Sequence, residues 1–136
     1  MASILKVDSM QGVTSAGNIT ITSEGGSATM QLQQGVAKAW IDIVTGSSIG
    51  DSLNVTSFTD NGAGDYTQNF TNALSNSNYS TVGTGGSGRS SSATVYWGGY
   101  KSVAPTTTAA RTAFLSGSGS AGDPADACSS THGDLA

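Results

Sequence analysis

The side chains able to do chemistry are few and far apart. His132 is the only histidine and Cys128 the only cysteine, four positions apart near the end of the chain. A catalytic base needs a third group to hold it in a rigid pocket, and a structural zinc site needs four Cys or His ligands. Neither set is present, so both residues are expected to be structural or inert. Asp123, Asp126 and Asp134 form an acidic set without the terminal bidentate carboxylate of a calcium loop. Asp60 and Asp65 flank Asn61-Gly62-Ala63-Gly64, a stretch that fits a tight hairpin turn better than a calcium turn. The glycines between 83 and 88 are not followed by Lys-Ser or Lys-Thr, so no phosphate cradle is expected. Paired carboxylates of the kind glycoside hydrolysis requires are not recognisable. No catalytic, cofactor or metal site is assigned, and the chain is expected not to be an enzyme.

One cluster has binding character. Tyr96, Trp97 and Tyr100 flank Gly98-Gly99, and aromatic rings beside polar loops suit stacking on a sugar or contact with a cell surface. The plainer alternative, which is preferred, puts Trp97 in a core and both tyrosines at a rim or interface. Asn18-Ile19-Thr20, Asn54-Val55-Thr56, Asn69-Phe70-Thr71 and Asn78-Tyr79-Ser80 match the glycosylation pattern. Such triplets arise by chance in a chain rich in Asn and Thr.

The elements that must position these residues look like strands. β-prone runs fall at residues 4–7, 19–22, 28–32, 37–44, 53–59, 66–71, 93–97 and 111–115, separated by turn residues, a spacing that suggests a sandwich or barrel. Leu53 and Val55, Tyr66 and Phe70, Ala93, Val95 and Trp97, and Ala110 and Phe114 alternate with polar residues and are expected to face the core. Residues 53–71 are expected to form a hairpin. The Gly- and Ser-rich stretches at 83–92 and 116–122 are expected to be loops, the first of them flexible. The one helical candidate, 31–39, is weakened by Gly35 and disfavoured.

Composition sets the outer bounds. Hydrophobic residues make up 36 % and charged residues 10 %, both low for a globular domain. The two Trp, four Tyr and three Phe argue against disorder and allow a modest core. A net charge of −4 with five Lys plus Arg leaves no patch for tracking phosphates, so nucleic acid is not an expected partner. No stretch is long and apolar enough for a spanning helix, and the N-terminus lacks a signal-peptide core, so no membrane insertion and assembly in a cytoplasm are expected. The first 35 residues contain no aromatic and cannot build a core, so residues 1–34 are expected to be an extended arm that folds against a partner.

The run Gly35-Val36-Ala37-Lys38-Ala39-Trp40 resembles short bacteriophage structural proteins of the tail-fibre type, common among marine phages. The likeness continues through the stretch from Asp51-Ser52-Leu53 to Asp65-Tyr66-Thr67, and through Asn69-Phe70-Thr71-Asn72-Ala73-Leu74 and Asn78-Tyr79. Ser3-Ile4-Leu5-Lys6-Val7-Asp8 and His132-Gly133-Asp134-Leu135-Ala136 resemble the opening and the ending of such chains. The resemblance implies a β-rich distal domain, an N-terminal segment attached to other virion proteins, and a homo-oligomer, usually a trimer. It brings no catalytic residues. Between 116 and 131, Gly, Ser and Ala stand where a last strand has β-branched residues, so no regular strand is expected there.

The expectation is therefore an all-β, small antiparallel sandwich or barrel-like module over residues 35–136, preceded by the arm over 1–34. The expected role is that of a virion structural protein exposed on the particle exterior, a tail-fibre subunit mediating attachment to the particle and to the host surface, with a surface glycan as a further partner. Alternatives are a capsid decoration or head-fibre protein and a secreted carbohydrate-binding module. Val36, Trp40, Phe58, Tyr66, Phe70 and Trp97 are the expected core or interface anchors, with Tyr96 and Tyr100 as candidate surface contacts. If Trp40 and Phe70 are buried, replacing either by Ala costs about 3–5 kcal/mol in denaturant titration. A loss below ~1 kcal/mol for both places the core elsewhere.

Overall fold

The computed structural model describes residues 5–13, 19–22, 25–44, 48–88, 95–100 and 103–136. The chain separates into two compact units, Met1–Val36 and Ala37–Ala136. In the first, strand β1 (Thr20–Thr22) pairs antiparallel with β2 (Thr29–Gln31), and one helical turn, α1 (Leu32–Gly35), follows. None of its described residues is buried. The helical candidate over 31–39 shrinks to this single turn, because Val36 is already extended and β structure resumes at Ala39. Residues 5–7 form no strand within the chain, and residue 4 lies outside the described residues.

The second unit holds β3 (Ala39–Val44), β4 (Ser48–Leu53), β5 (Val55–Asp60), β6 (Asp65–Phe70), β7 (Ser80–Gly86), β8 (Val95–Tyr100), β9 (Ala109–Ser116) and β10 (Asp126–His132). All pair antiparallel in one sheet of order β4-β3-β10-β7-β8-β9-β6-β5. The all-β expectation holds: β10 returns beside β7 to complete a Greek key with the β7-β8-β9 meander, and the sheet curls into a nearly closed barrel. Its two end strands, β4 and β5, meet at Asn54, whose φ of +55° turns the chain sharply. Asn54 suits this left-handed position, and its side chain accepts from the Asn72 N–H at 2.7 Å and donates to the Asn72 carbonyl at 3.1 Å.

Period-two alternation accounts for most of the core. Ala39, Ile41 and Ile43 on β3, Tyr66 and Phe70 on β6, and Ala110 and Phe114 on β9 point inward and are buried, with Leu74, Tyr79 and Val55 closing the ends. Rings meet edge to face in two groups: Phe58, Tyr66 and Phe114 at centroid separations of 5.9 and 5.8 Å, and Phe70, Tyr79 and Tyr100 at 5.9 and 6.3 Å. Tyr66 and Phe70 are four residues apart on one strand, ~13 Å, so the two groups fill opposite ends of the barrel. The hairpin over 53–71 forms as expected, as β5 and β6, with the positive φ angles of its turn supplied by Gly62 and Gly64.

Two expectations from composition are overturned. Gly83 to Gly86, assigned to a flexible loop, belong to β7, and residues 126–131, where no regular strand was expected, belong to β10 at the middle of the sheet. Residues 89–92 of the same stretch, and Ala93 of the run expected to follow it, lie outside the described residues. β10 keeps the strand period in small residues: Ala127, Ser129 and Thr131 are buried, while Cys128 and His132 are exposed. Thr131 bonds Thr81 at 2.8 Å and Ser129 donates to Gln68 Oε1 at 3.1 Å, so these inward hydroxyls have partners. The glycines are required by close approach. A Cβ on Gly83 would lie 2.8 Å from the Cys128 carbonyl oxygen and 3.2 Å from the Phe114 ring. Gly83→Ala is expected to cost about 1–3 kcal/mol by overpacking, measured by urea denaturation. An unchanged midpoint would mean that β7 does not lie against Phe114.

Candidate functional site

The outward side of the sheet carries the unusual chemistry. Along one row, strand register aligns Leu53, Trp40, Ser130 and Val82; along the next it aligns Asp51, Asp42, Cys128, Thr84, Trp97 and Leu115. Trp97 is 69 % exposed, Val82 59 %, Leu53 46 % and Leu115 39 %, outward apolar residues interspersed with Asp42, Cys128, Thr84 and Ser130. Trp40 is half-buried. The small outward residues of β10 and β7 leave a groove of about 530 Å³ across β3, β10 and β7, lined by Trp40, Asp42, Val82, Thr84, Cys128 and Ser130. Trp97 stands at its β8 side.

The expected anchors divide into two sets. Tyr66 and Phe70 are core, and Phe58 is partly buried against them. Val36 is exposed and lies in the N-terminal unit, outside the barrel. The preferred placing of Trp97 in the core is corrected, and so is its parity. On β8 it is Tyr96 and Gly98 that face inward, because Gly98 must pass the Phe114 ring, where an added Cβ would lie at 3.0 Å. Leu53 is likewise turned outward from Val55 by the corner at Asn54.

Tyr96 and Tyr100 therefore do not share a face with Trp97. Tyr96 packs against the core and beside Gly122. Tyr100 donates its hydroxyl to the Tyr79 carbonyl. Tyr79 in turn donates to the carbonyls of Thr106 and Ala109, both at 2.9 Å, and so ties the β8–β9 connection to the core. Strand register places Trp97 between Thr84 of β7 and Leu115 of β9 on the outer surface.

The acidic residues of the hairpin turn are held by structural partners. Asp65 takes two 2.7 Å hydrogen bonds from Arg111, a bidentate pair of the strong charge-assisted kind. Asp65 raises the Arg111 pKa further. Asp123 accepts from the Gly64 N–H at 2.6 Å and the Tyr66 hydroxyl at 3.2 Å, and Asp60 accepts from the Gly62 N–H at 2.9 Å. Among the described residues no three His, Cys, Asp or Glu side chains stand close enough to hold a metal ion. Cys128 and His132 are four residues apart on an extended strand, ~13 Å, too far for a dyad. In comparison with known proteins, no family model, curated protein or solved structure matches this chain.

Two buried tyrosines link stability to pH. Burial, and for Tyr66 the nearby Asp123 carboxylate, push the phenol pKa up to about 12. Burial, and then Tyr100, do the same for Tyr79, also to about 12. The folded values exceed the ordinary 10.0, so this stabilisation is complete below pH 10 and is lost as pH rises through about 12. Lys38 acts in the opposite sense: burial lowers its pKa and Asp134 counteracts, so stability gains as pH approaches its ordinary 10.5. The denaturation midpoint is expected to fall between pH 10 and about 12, and less steeply in Tyr66→Phe and Tyr79→Phe. Native phenolate absorbance at pH 10 that disappears in Tyr66→Phe or Tyr79→Phe would contradict it.

Proposed function

We propose that this chain is a virion structural protein, a bacteriophage tail-fibre subunit that assembles as a homo-oligomer and contacts the host surface. The reading is non-enzymatic. The observation that carries it is the outward exposure of Val82 and Trp97 beside the groove at Trp40, on a barrel whose Asp65 and Asp123 carboxylates are tied up in structural hydrogen bonds. A face of that kind suits association better than turnover. The N-terminal unit, with no buried residue among those described, suits a segment that orders against another virion protein, where main-chain pairing supplies affinity.

The test is the copy number and position of the chain in intact particles, by cryo-electron microscopy with mass spectrometry of the same preparation. A few oligomers at the tail are expected. Hundreds of copies over the capsid would replace this reading with decoration or head fibre, and absence from every particle would favour a secreted carbohydrate-binding module.

A further inference from the structure

We propose that Asn61 is a site of spontaneous covalent change, deamidation through a cyclic imide formed with the Gly62 backbone nitrogen, which the closed hairpin turn restrains and turn opening releases. The chemistry does not depend on the virion reading. Of the seven asparagines only Asn61 precedes a glycine. Ring closure brings the backbone nitrogen of the following residue against the side-chain carbonyl carbon. A Cβ on that residue crowds the approach, and glycine has none. No neighbour lies within 4 Å of the Cβ position at Gly62, whose φ is +124°. Asn61 and Gly62 are both exposed, which gives solvent access to each step.

The reaction balances with water alone. A solvent base removes the Gly62 amide proton, the nitrogen bonds to Asn61 Cγ, and the Cγ–Nδ2 bond breaks with release of ammonia, which takes up a proton from solvent. Water then opens the five-membered imide at one of its two carbonyl carbons. Opening at the former side-chain carbonyl leaves aspartate at position 61. Opening at the main-chain carbonyl leaves isoaspartate, with one methylene more in the backbone. Nothing is oxidised or reduced.

The folded turn holds both reacting groups. The Gly62 N–H donates to Asp60 Oδ1 at 2.9 Å, and that carboxylate, as acceptor and as negative charge, keeps the proton on the nitrogen. Asn61 Nδ2 donates to Thr67 Oγ1 at 2.9 Å and to the Thr59 carbonyl at 3.3 Å, so the leaving amide is tied to both strands of the hairpin. The backbone between them is fixed by the Asn61 N–H on the Asp65 carbonyl at 2.7 Å and the Asp65 N–H on the Gly62 carbonyl at 2.8 Å. Conversion undoes these contacts. A carboxylate at 61 sets an acceptor against the Thr59 carbonyl beside Asp60, and an extra methylene breaks the Asn61–Asp65 register. Gly64 of the same turn is held by Asp123 and by the Phe114 N–H, so the loss reaches β9.

The test is peptide mapping by mass spectrometry of the full chain incubated at mildly alkaline pH, folded and in concentrated urea, with Thr67→Val and Asp60→Ala in parallel. Folded rates are read well below each variant's melting temperature. In urea, Asn61 is expected to convert fastest of the asparagines and to give both products. In the folded chain its conversion is expected to be slower by roughly 50-fold, the effect of one neutral and one charge-assisted hydrogen bond that must both break. Thr67→Val should raise the folded rate about fivefold and Asp60→Ala about tenfold, and Thr67→Val should leave the rate in urea unchanged. Equal rates in the folded chain and in urea, no conversion at Asn61 in urea, or folded rates indifferent to both substitutions would overturn the proposal.

Discussion

The Phe114 ring occupies space that two glycines leave open, and the barrel is arranged around that contact. A Cβ on Gly98 would lie 3.0 Å from the ring and 3.0 Å from the Gly83 Cα, so β7 and β8 can pass Phe114 only as bare backbone. The ring then meets Tyr66 edge to face at 5.8 Å, and the Phe114 N–H donates to the Gly64 carbonyl at 2.7 Å. One side chain thus joins the central strands, the β6 core and the hairpin turn. Close packing of this kind tolerates little change in volume.

The same constraint shapes the outside. Strands that must be thin inside are made of Gly, Ala, Ser and Thr, and on β10 and β7 the outward positions are small as well. A shallow groove results beside Trp40, and Trp97 lies one strand beyond its margin at Thr84. The open edges of the sheet are bulged. Core packing and surface character are therefore consequences of one distribution of side-chain sizes, and the apolar area that the small interior cannot take up lies on the outer face.

Where alternation was written in large apolar residues, as in β6 and β9, the sequence was sufficient to place strand, face and core; on β3 it placed the strand but named Trp40, which faces outward, where Ala39, Ile41 and Ile43 form the core. The hairpin turn was legible from its glycines. β7 and β10 were not, because Gly and Ser raise the entropy cost of extension and their burial depends on Phe114 and Pro124 arriving from elsewhere in the chain. Parity in β8 was misjudged for a related reason: Trp97 is the largest apolar residue of its run, yet the inward side is limited by Gly98 against Phe114. The groove was invisible to any local pattern, since its walls come from β3, β7 and β10. The aromatic cluster at 96–100 is divided by strand parity: Trp97, expected in the core, faces outward, and Tyr96, expected at the surface, packs against the core.

Amide hydrogen exchange resolved by residue tests most directly whether small-residue strands form the middle of this barrel. Amides of Ala127 to Thr131 on β10 and of Val82 to Gly85 on β7 should exchange as slowly as those of Tyr66 to Asn69 on β6, since all lie in paired ladders inside the sheet. Exchange of β10 and β7 at the rate of an open loop, with β6 protected, would show that composition alone governs these segments and that the groove beside Trp40 does not exist.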